Sequence, residues 1–178
     1  MSYIIGITGG SGSGKTSLVE GLKVKLRDKS VCFISLDHYY KDVASQPKDI
    51  NGIENFDRPE SLDIDQFLID LDQLKKGISV KKVEYNFNNP NVARKEFMLH
   101  PASVIIIEGI FLYAYAQVMA QLELKIFIDA PEYLRIKRRV IRDTSTRGYT
   151  VDDVLYRLEY QVEPAHTLFV EPFKHEAD

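Results

Sequence analysis

The most informative part of this 178-residue sequence reads Gly9-Gly10-Ser11-Gly12-Ser13-Gly14-Lys15-Thr16. It satisfies the pattern G-x-x-x-x-G-K-[ST], in which glycines allow backbone N–H groups to converge on the oxygens of a phosphate. The motif predicts that the lysine reaches the β- and γ-phosphates of a nucleotide and that the threonine hydroxyl is a ligand of Mg²⁺. The alternative, a glycine-rich turn before an ordinary helix, is disfavoured because the match lies between a predicted strand and a predicted helix.

The segments on either side of this loop predict a βαβ unit. Tyr3–Thr8 is a short β-branched run typical of a buried strand, and Leu18, Leu22 and Leu26 recur at the spacing of one helix face. A second buried strand is predicted over residues 31–36. A strand, a helix and another strand in this order imply a parallel sheet.

The remainder of the chain supplies further elements of the same kind. In chain order they are a helix over residues 63–76, a small hairpin insertion over 79–100, a buried strand over 104–107, an apolar helix reaching Leu122, a strand over 124–128, a basic helix from Pro131 toward Arg142, and a helix from Thr150 that stops before Pro164. The sequence therefore predicts a single α/β domain, residues 1–178, with an open, mostly parallel sheet and flanking helices.

Composition and charge restrict the class of protein. The formal net charge of −3 argues against a protein that coats nucleic acid or a membrane surface. No stretch is apolar over the length that a bilayer requires and no export signal is recognisable, so the expected location is the cytoplasm. The single cysteine, Cys32, excludes an internal disulfide framework and a cysteine-based zinc site.

Positive charge is concentrated in residues 135–147. This segment contains six basic residues and one acid, Asp143, so the net charge of −3 is made up of +5 here and −8 elsewhere. A local cationic patch on an acidic chain suits a compact anionic ligand better than a long polyanion. A solvated helix face is the alternative, and the phosphate-binding motif favours the ligand.

Two carboxylates, Asp37 and Glu108, directly follow predicted apolar strands. In an open parallel sheet these carboxyl ends border the same crevice as the phosphate loop. A carboxylate there can hold Mg²⁺ or accept the proton of an attacking hydroxyl. Each could instead cap a loop or a helix, but two of them beside a complete phosphate loop favour a functional role.

Further motifs in register make the chain resemble the uridine–cytidine kinases of the phosphoribulokinase/uridine kinase group. They are Asp37-His38-Tyr39-Tyr40, Asn55-Phe56-Asp57-Arg58-Pro59, Glu108-Gly109-Ile110, Arg138-Arg139-Val140-Ile141-Arg142-Asp143, Arg147-Gly148 and Val162-Glu163-Pro164-Ala165. The resemblance extends over residues 4–178. It implies a P-loop NTPase fold of the nucleoside and nucleotide kinase type, with a helical lid over residues 135–150.

The resemblance implies transfer of the γ-phosphate of ATP to the 5'-hydroxyl of uridine or cytidine. Asp37 and Lys15 would be the catalytic residues, Asp37 as the base that orients the hydroxyl. Asp57 would bind the ribose hydroxyls, helped by Arg139. Aromatic residues would line or adjoin the pocket for the base, namely Tyr40, Phe56, Tyr85 and Phe87.

On the donor side, the resemblance implies that residues 9–16 bind ATP together with Ser17, Arg142 and Arg147, the two arginines belonging to a mobile lid. Mg²⁺ would be held by Thr16, Asp37 and Glu108. The preference between ATP and GTP stays open. The implied partner is a small-molecule nucleoside, with no nucleic acid and no membrane, and the implied assembly is a homo-oligomer, a tetramer by resemblance.

The sequence departs from the family at three places on the acceptor side. The loop after Tyr85 is longer and contains no histidine, Tyr149 stands where an arginine is usual, and Arg157 stands where a glutamine is expected. The chain also ends at Asp178, where the family would begin one more apolar strand, so either further residues follow or the sheet is one strand short.

Two other functions stay open at this point. A kinase of the same family could act on another small hydroxyl metabolite or on a nucleotide, which the altered acceptor side favours. A regulatory P-loop ATPase or switch is the alternative outside the kinases. A GTP switch would need the guanine-reading pattern Asn-Lys-x-Asp, which the sequence lacks.

Overall fold

The computed structural model describes residues 2–85 and 94–178. In chain order its strands are β1 (Tyr3–Thr8), β2 (Val31–Ser35), β3 (Val80–Val83), β4 (Glu96–Leu99), β5 (Val104–Glu108) and β6 (Leu124–Phe127). Within the described residues, β1, β2, β5 and β6 form a parallel sheet in the order β2-β5-β1-β6. This confirms the predicted α/β class with an open, mostly parallel sheet.

Helices flank this sheet. They are α1 (Lys15–Lys25), α2 (Ile64–Lys75), α3 (Ala116–Met119), α4 (Glu132–Thr146), α5 (Val151–Arg157) and α6 (Glu163–Phe169), with short 3₁₀ turns at Leu36–Tyr39, Val43–Ser45, Pro59–Ser61, Leu112–Ala114 and Glu171–Glu176. Two of these helices begin with a side-chain cap. The Asp63 side chain accepts the backbone N–H of Gln66 at the start of α2, and Thr150 and Asp153 form a capping box at the start of α5. In the described part of the chain, no helix combines the length and the apolar character needed to cross a membrane.

Successive residues of the central strands pack on opposite faces of the sheet, as strand geometry requires. On β5, Ile105 and Ile107 pack with Phe67 and Leu71 of α2, whereas Ile106 packs with Val19 of α1. Because both faces are covered, the strands read as continuous apolar runs rather than as alternating ones. A ligand can therefore contact the loops at the ends of the strands but not the faces of the sheet.

The strands β3 and β4 pair antiparallel in a separate two-stranded sheet, with Val80 opposite Leu99 and Val83 opposite Glu96. They lie within the range predicted for a hairpin insertion. Residues 86–93, between them, are outside the described part.

The predicted apolar helix reaching Leu122 is wrong. The chain instead forms the 3₁₀ turn Leu112–Ala114 and the four-residue helix α3. The Tyr113 hydroxyl donates hydrogen bonds to the carbonyl oxygens of Gly6, at 3.0 Å, and Ile126, at 3.1 Å. Phe111, Leu112 and Tyr113 are consecutive buried residues. One face of a helix cannot bury three residues in a row, so this apolar run reflects burial on all sides and does not indicate a helix.

The predicted stop before Pro164 is also wrong, because helical structure continues through this residue. The π-helical segment Leu158–Val162 follows α5, and Pro164 lies in the first turn of α6. Glu163, directly before Pro164, donates its backbone N–H to the carbonyl oxygen of Leu158, five residues earlier, so the proline follows a π-type turn rather than a regular α-helical one.

Candidate active site

A cavity of about 390 Å³ opens beside the carboxyl ends of the central strands. The phosphate loop, the turn after β2, the segment before α2 and the helix α4 all contribute to its wall. The structure brings most of the predicted site residues to this wall: Ser11, Gly12, Gly14, Lys15, Thr16, Ser17, Asp37, Tyr40, Phe56, Asp57, Glu108, Arg139, Arg142 and Arg147.

A few predicted site residues lie elsewhere. Gly9, Gly10 and Ser13 belong to the same loop but do not line the cavity. Tyr85 stands beside it, with its ring centroid 5.4 Å from that of Tyr40 and 6.4 Å from that of Phe56. Phe87 and the histidine-free loop lie outside the described residues.

Gly12 of the phosphate loop is required by both conformation and space. Gly12 has a φ of +76°, and a Cβ at this position would overlap the carbonyl oxygen of Arg135 on α4. Arg138 of the same helix donates from Nη1 to the carbonyl oxygens of Gly12, at 3.3 Å, and Ser13, at 3.1 Å. The basic helix therefore packs directly on the loop, a contact that sequence reasoning missed.

Lys15 is held inside the loop. Its ammonium donates hydrogen bonds to the carbonyl oxygens of Gly9, at 2.8 Å, and Gly10, at 3.1 Å. Burial lowers the pKa of Lys15, while the negative charges of Glu108 and Asp37 oppose that effect. The lysine charge thus lies near both carboxylates that the sequence singled out.

Ser35 links the carboxylate of Glu108 to the backbone of Asp37. The Ser35 hydroxyl donates a short hydrogen bond to Glu108, and its oxygen accepts the backbone N–H of Asp37 at 3.3 Å. Burial raises the pKa of Glu108, and the charge of Asp37 raises it further. A nearby cation would relieve this excess of negative charge.

The same residues fit a hard divalent cation. Asp37, Glu108 and the Thr16 hydroxyl offer oxygen atoms on one wall of the cavity, and Mg²⁺ is usually bound by one or two carboxylates, water and substrate phosphates. Among residues 2–85 and 94–178, no group of three or more His, Cys, Asp and Glu residues is placed to hold a metal ion. Two carboxylates and one hydroxyl suit an ion that a phosphate also binds.

Asp57 and Arg139 form a buried bidentate ion pair. Arg139 Nη1 and Nη2 each lie 3.0 Å from one oxygen of Asp57, and the two residues are 7% and 6% exposed. Burial disfavours the charge of Arg139, but the carboxylates of Asp57 and Asp143 outweigh this and raise its pKa. Because each carboxylate oxygen has a second lone pair, Asp57 can still accept hydrogen bonds from a ligand.

Asp143 is the centre of a second cluster on α4. Its carboxylate lies 2.7 Å from Nε of Arg142, 3.1 Å from Nε of Arg139 and 3.4 Å from Nη1 of Arg147. Burial opposes ionisation, but the hydrogen bond from Arg142 and the three positive charges lower the pKa of Asp143. In the sequence this residue is prominent only as the single acid of a basic segment, although the i,i+4 spacing to Arg139 and Arg147 signals the cluster.

Asp143→Asn is expected to lower the free energy of unfolding by about 3 kcal/mol, because it leaves three arginines without their shared anion. The native pKa of Asp143 lies below its unfolded value, so its contribution to stability is complete above an unfolded pKa of about 3.9 and is lost as the pH falls through the native value. Urea unfolding should show a constant difference from pH 7 to about 5 and a smaller one below about 4.

Asp28→Asn is the matched control, since Asp28 forms an exposed ion pair with Arg27 and should change stability by less than about 1 kcal/mol. Equal unfolding midpoints for Asp143→Asn and Asp28→Asn would contradict the importance of the cluster.

Two of the positions that depart from the family pattern contact each other. The Arg157 guanidinium lies over the Tyr149 ring at 5.1 Å, and both residues line the cavity. Arg157 Nη1 also donates to the carbonyl oxygen of Glu54, at 3.1 Å, and to Gln161 Oε1, at 3.0 Å. One wall of the cavity is thus built from a stacked pair that the family pattern does not predict.

The model of the Phosphoribulokinase / Uridine kinase family matches residues 4–178. The chain belongs to this family. Among its relatives, a uridine kinase of Bacillus pumilus is 35% identical over 175 residues, which is 98% of this chain and 83% of the relative. A uridine kinase of Leuconostoc citreum is 37% identical over 177 residues, 98% of this chain and 84% of the relative. As a kinase of this family, the protein is a phosphotransferase that acts on an alcohol.

Solved structures show the same fold. The phosphoribulokinase from Rhodobacter spheroides is 16% identical, with a TM-score of 0.67 over 99% of this kinase and 68% of that chain. The D-glycerate 3-kinase from Cryptococcus neoformans is also 16% identical, with a TM-score of 0.65 over 94% of this kinase and 79% of that chain. The kinase therefore has the predicted P-loop fold.

Proposed function

We propose that this kinase transfers the γ-phosphate of ATP to the 5'-hydroxyl of uridine or cytidine. The observation that carries the proposal is the buried pair of Asp57 and Arg139, which shares one cavity with the phosphate loop. A carboxylate with free lone pairs suits the two neighbouring hydroxyls of a ribose. The uridine kinases among the relatives support the same acceptor.

Aromatic side chains next to Asp57 suit the base of the nucleoside. Phe56 precedes it directly, and the Phe56 ring lies 5.9 Å from Tyr40 and 6.4 Å from Tyr85. Such rings offer a pyrimidine a stacking surface. They lie on the acceptor side of the cavity, so the ribose would stand between the base and the phosphate loop.

The charges around the cavity support ATP with Mg²⁺ as the donor and a neutral acceptor. Four carboxylates line the cavity (Asp37, Asp57, Glu108 and Asp143), together with six cationic side chains (Lys15, Arg138, Arg139, Arg142, Arg147 and Arg157). The formal sum is +2, which ATP carrying one Mg²⁺, at about −2, would balance.

The proposed mechanism assigns each group a part in phosphoryl transfer. Asp37 orients the 5'-hydroxyl and accepts its proton late, as the loose transition state collapses. Lys15, Arg142 and Arg147 stabilise the charge that spreads over the transferred oxygens. Mg²⁺, which Thr16, Asp37 and Glu108 would hold, neutralises phosphate charge when it is bound. Closure of the α4 region would exclude water, which competes with the nucleoside as an acceptor.

Asp57→Ala is expected to weaken acceptor binding far more than ATP binding. Each charge-assisted hydrogen bond from a ribose hydroxyl contributes roughly 1.5–3 kcal/mol. For the same reason, the unaltered kinase should discriminate against 2'-deoxyuridine. Calorimetric dissociation constants for uridine and for a non-hydrolysable ATP analogue measure the first effect, and initial rates measure the second. Equal rates with uridine and 2'-deoxyuridine would contradict the role of Asp57.

A different hydroxyl acceptor within the same family is the second candidate. It is favoured by Arg157 stacked on Tyr149, because these residues change the cavity wall next to the acceptor. Release of ADP with a panel of nucleosides, nucleotides and small hydroxyl metabolites tests both candidates. A regulatory ATPase would instead give slow turnover that no acceptor increases.

The remaining proposals concern the setting of the reaction. We propose the cytoplasm as its location because ATP is available there. The homo-oligomer implied by the resemblance stays a prediction, which size-exclusion chromatography with light scattering would test. Competition between ATP and GTP as donors would decide the nucleotide preference.

A further inference from the structure

Ser11 connects the phosphate loop to the buried ion pair of the acceptor side. Its Oγ accepts a hydrogen bond of 3.0 Å from Arg139 Nη1. The same nitrogen donates to Asp57 Oδ1 at 3.0 Å. A guanidinium Nη carries two hydrogens, so one hydrogen of Nη1 is taken by the carboxylate and the other by the serine.

We propose that the Ser11 hydroxyl is a positioning group for the acceptor, acting through Arg139 on Asp57. This inference rests on the proposed function, because it requires that the acceptor binds at Asp57. It assigns to a side chain of the phosphate loop a role in the affinity for the acceptor rather than for ATP.

The surroundings of Arg139 explain why one hydroxyl matters. Its guanidinium is only 7% exposed, so an N–H that loses its protein acceptor cannot readily turn to bulk water. On the other side of the guanidinium, the Asp143 carboxylate lies 3.1 Å from Arg139 Nε and attracts the same positive charge. Without Ser11, the guanidinium is therefore free to tilt toward Asp143, which would rotate the carboxylate of Asp57 away from its present orientation.

The position of Ser11 also links the two substrates. The residue belongs to the loop that the phosphates contact, so a displacement of the loop on nucleotide binding would shift the Oγ atom relative to Arg139. Acceptor affinity should then depend on whether the nucleotide site is filled.

The test measures calorimetric dissociation constants for uridine with the nucleotide site filled by a non-hydrolysable ATP analogue. S11A is expected to raise the dissociation constant for uridine by about three- to tenfold, which corresponds to the usual net contribution of one protein hydrogen bond. The dissociation constant for the ATP analogue should change by less than about twofold. S11T, which keeps the hydroxyl, should bind uridine as tightly as the unaltered kinase. S103A is the matched control, because it removes an exposed hydroxyl that donates to the carbonyl oxygen of Ser30 just before β5, and it should leave both dissociation constants unchanged.

A double-mutant cycle shows whether Ser11 acts through Asp57. In a D57N background, S11A should have no further effect on uridine binding, because the free-energy changes caused by substitutions within one hydrogen-bond network are not additive. Full additivity, or an equal loss of uridine and analogue binding in S11A, would overturn the inference. An unaltered kinase that binds no uridine would overturn the proposed function and this inference with it, whereas uridine binding that S11A leaves intact would overturn the inference alone.

Discussion

Asp37→Asn is expected to lower turnover by about 10²–10⁴-fold, the usual contribution of a group that takes a proton in the transition state. The amide keeps the shape of the side chain but cannot accept the proton of the 5'-hydroxyl. A carboxylate is too weak a base to remove that proton from a resting alcohol, so its charge matters late in the reaction. Affinity for ATP should change little, because Lys15 and the amides of the phosphate loop remain.

A magnesium titration separates the two roles proposed for Asp37. If the residue mainly holds the metal, higher Mg²⁺ should restore much of the lost rate, whereas a proton acceptor cannot be replaced in this way. Asp72→Asn is the matched control, because Asp72 lies exposed on α2 in an ion pair with Lys76 and should leave turnover unchanged. A loss smaller than tenfold, or rescue by Mg²⁺, would contradict the assignment as the base.

Lys15→Ala is expected to lower turnover by about 10²-fold or more and to weaken ATP binding as well. The ammonium is held against the carbonyl oxygens of Gly9 and Gly10 within the phosphate loop, and the motif predicts that it reaches the β- and γ-phosphates. Removing one preorganised donor from a transition state of this kind typically costs about 10²–10³ in kcat. Initial rates and calorimetry with a non-hydrolysable analogue measure the two effects separately.

Lys25→Ala provides the control for this variant, since Lys25 lies on the same helix with an exposed side chain. Thermal unfolding of both variants would show whether the loop keeps its structure without the ammonium. Near-normal turnover of a folded Lys15→Ala variant would contradict the assignment of residues 9–16 as the loop that binds the phosphates of ATP.

The sequence was most informative where local geometry dictates the residue. A loop that brings backbone N–H groups to a phosphate needs glycine at positions such as Gly12, and two carboxylates at neighbouring strand ends had to meet beside it. Asp37 and Glu108 do share the wall of one cavity. The parallel sheet followed from the same strands, because continuous apolar runs indicate burial on both faces.

Contacts between distant segments could not be predicted in this way. Ser11 and Arg139 are separated by 128 positions, and nothing in the spacing of either residue indicates that they meet. The chain between β5 and β6 was also misjudged, because Phe111, Leu112 and Tyr113 are buried one after another and such a run lacks the periodicity that distinguishes a helix from buried turns.

The order of the strands has a consequence for protein engineering. Glu108 ends β5, Lys15 begins α1 after the loop that follows the neighbouring strand β1, and Asp37 lies just beyond the end of β2. In contrast, Phe56, Asp57 and Tyr85 belong to segments outside the central sheet. Loops of this kind can be exchanged without altering the packed strands that they leave and enter. Exchanging residues 41–62 and the hairpin for those of a relative is therefore expected to change the acceptor that we propose and to leave the phosphate chemistry unchanged.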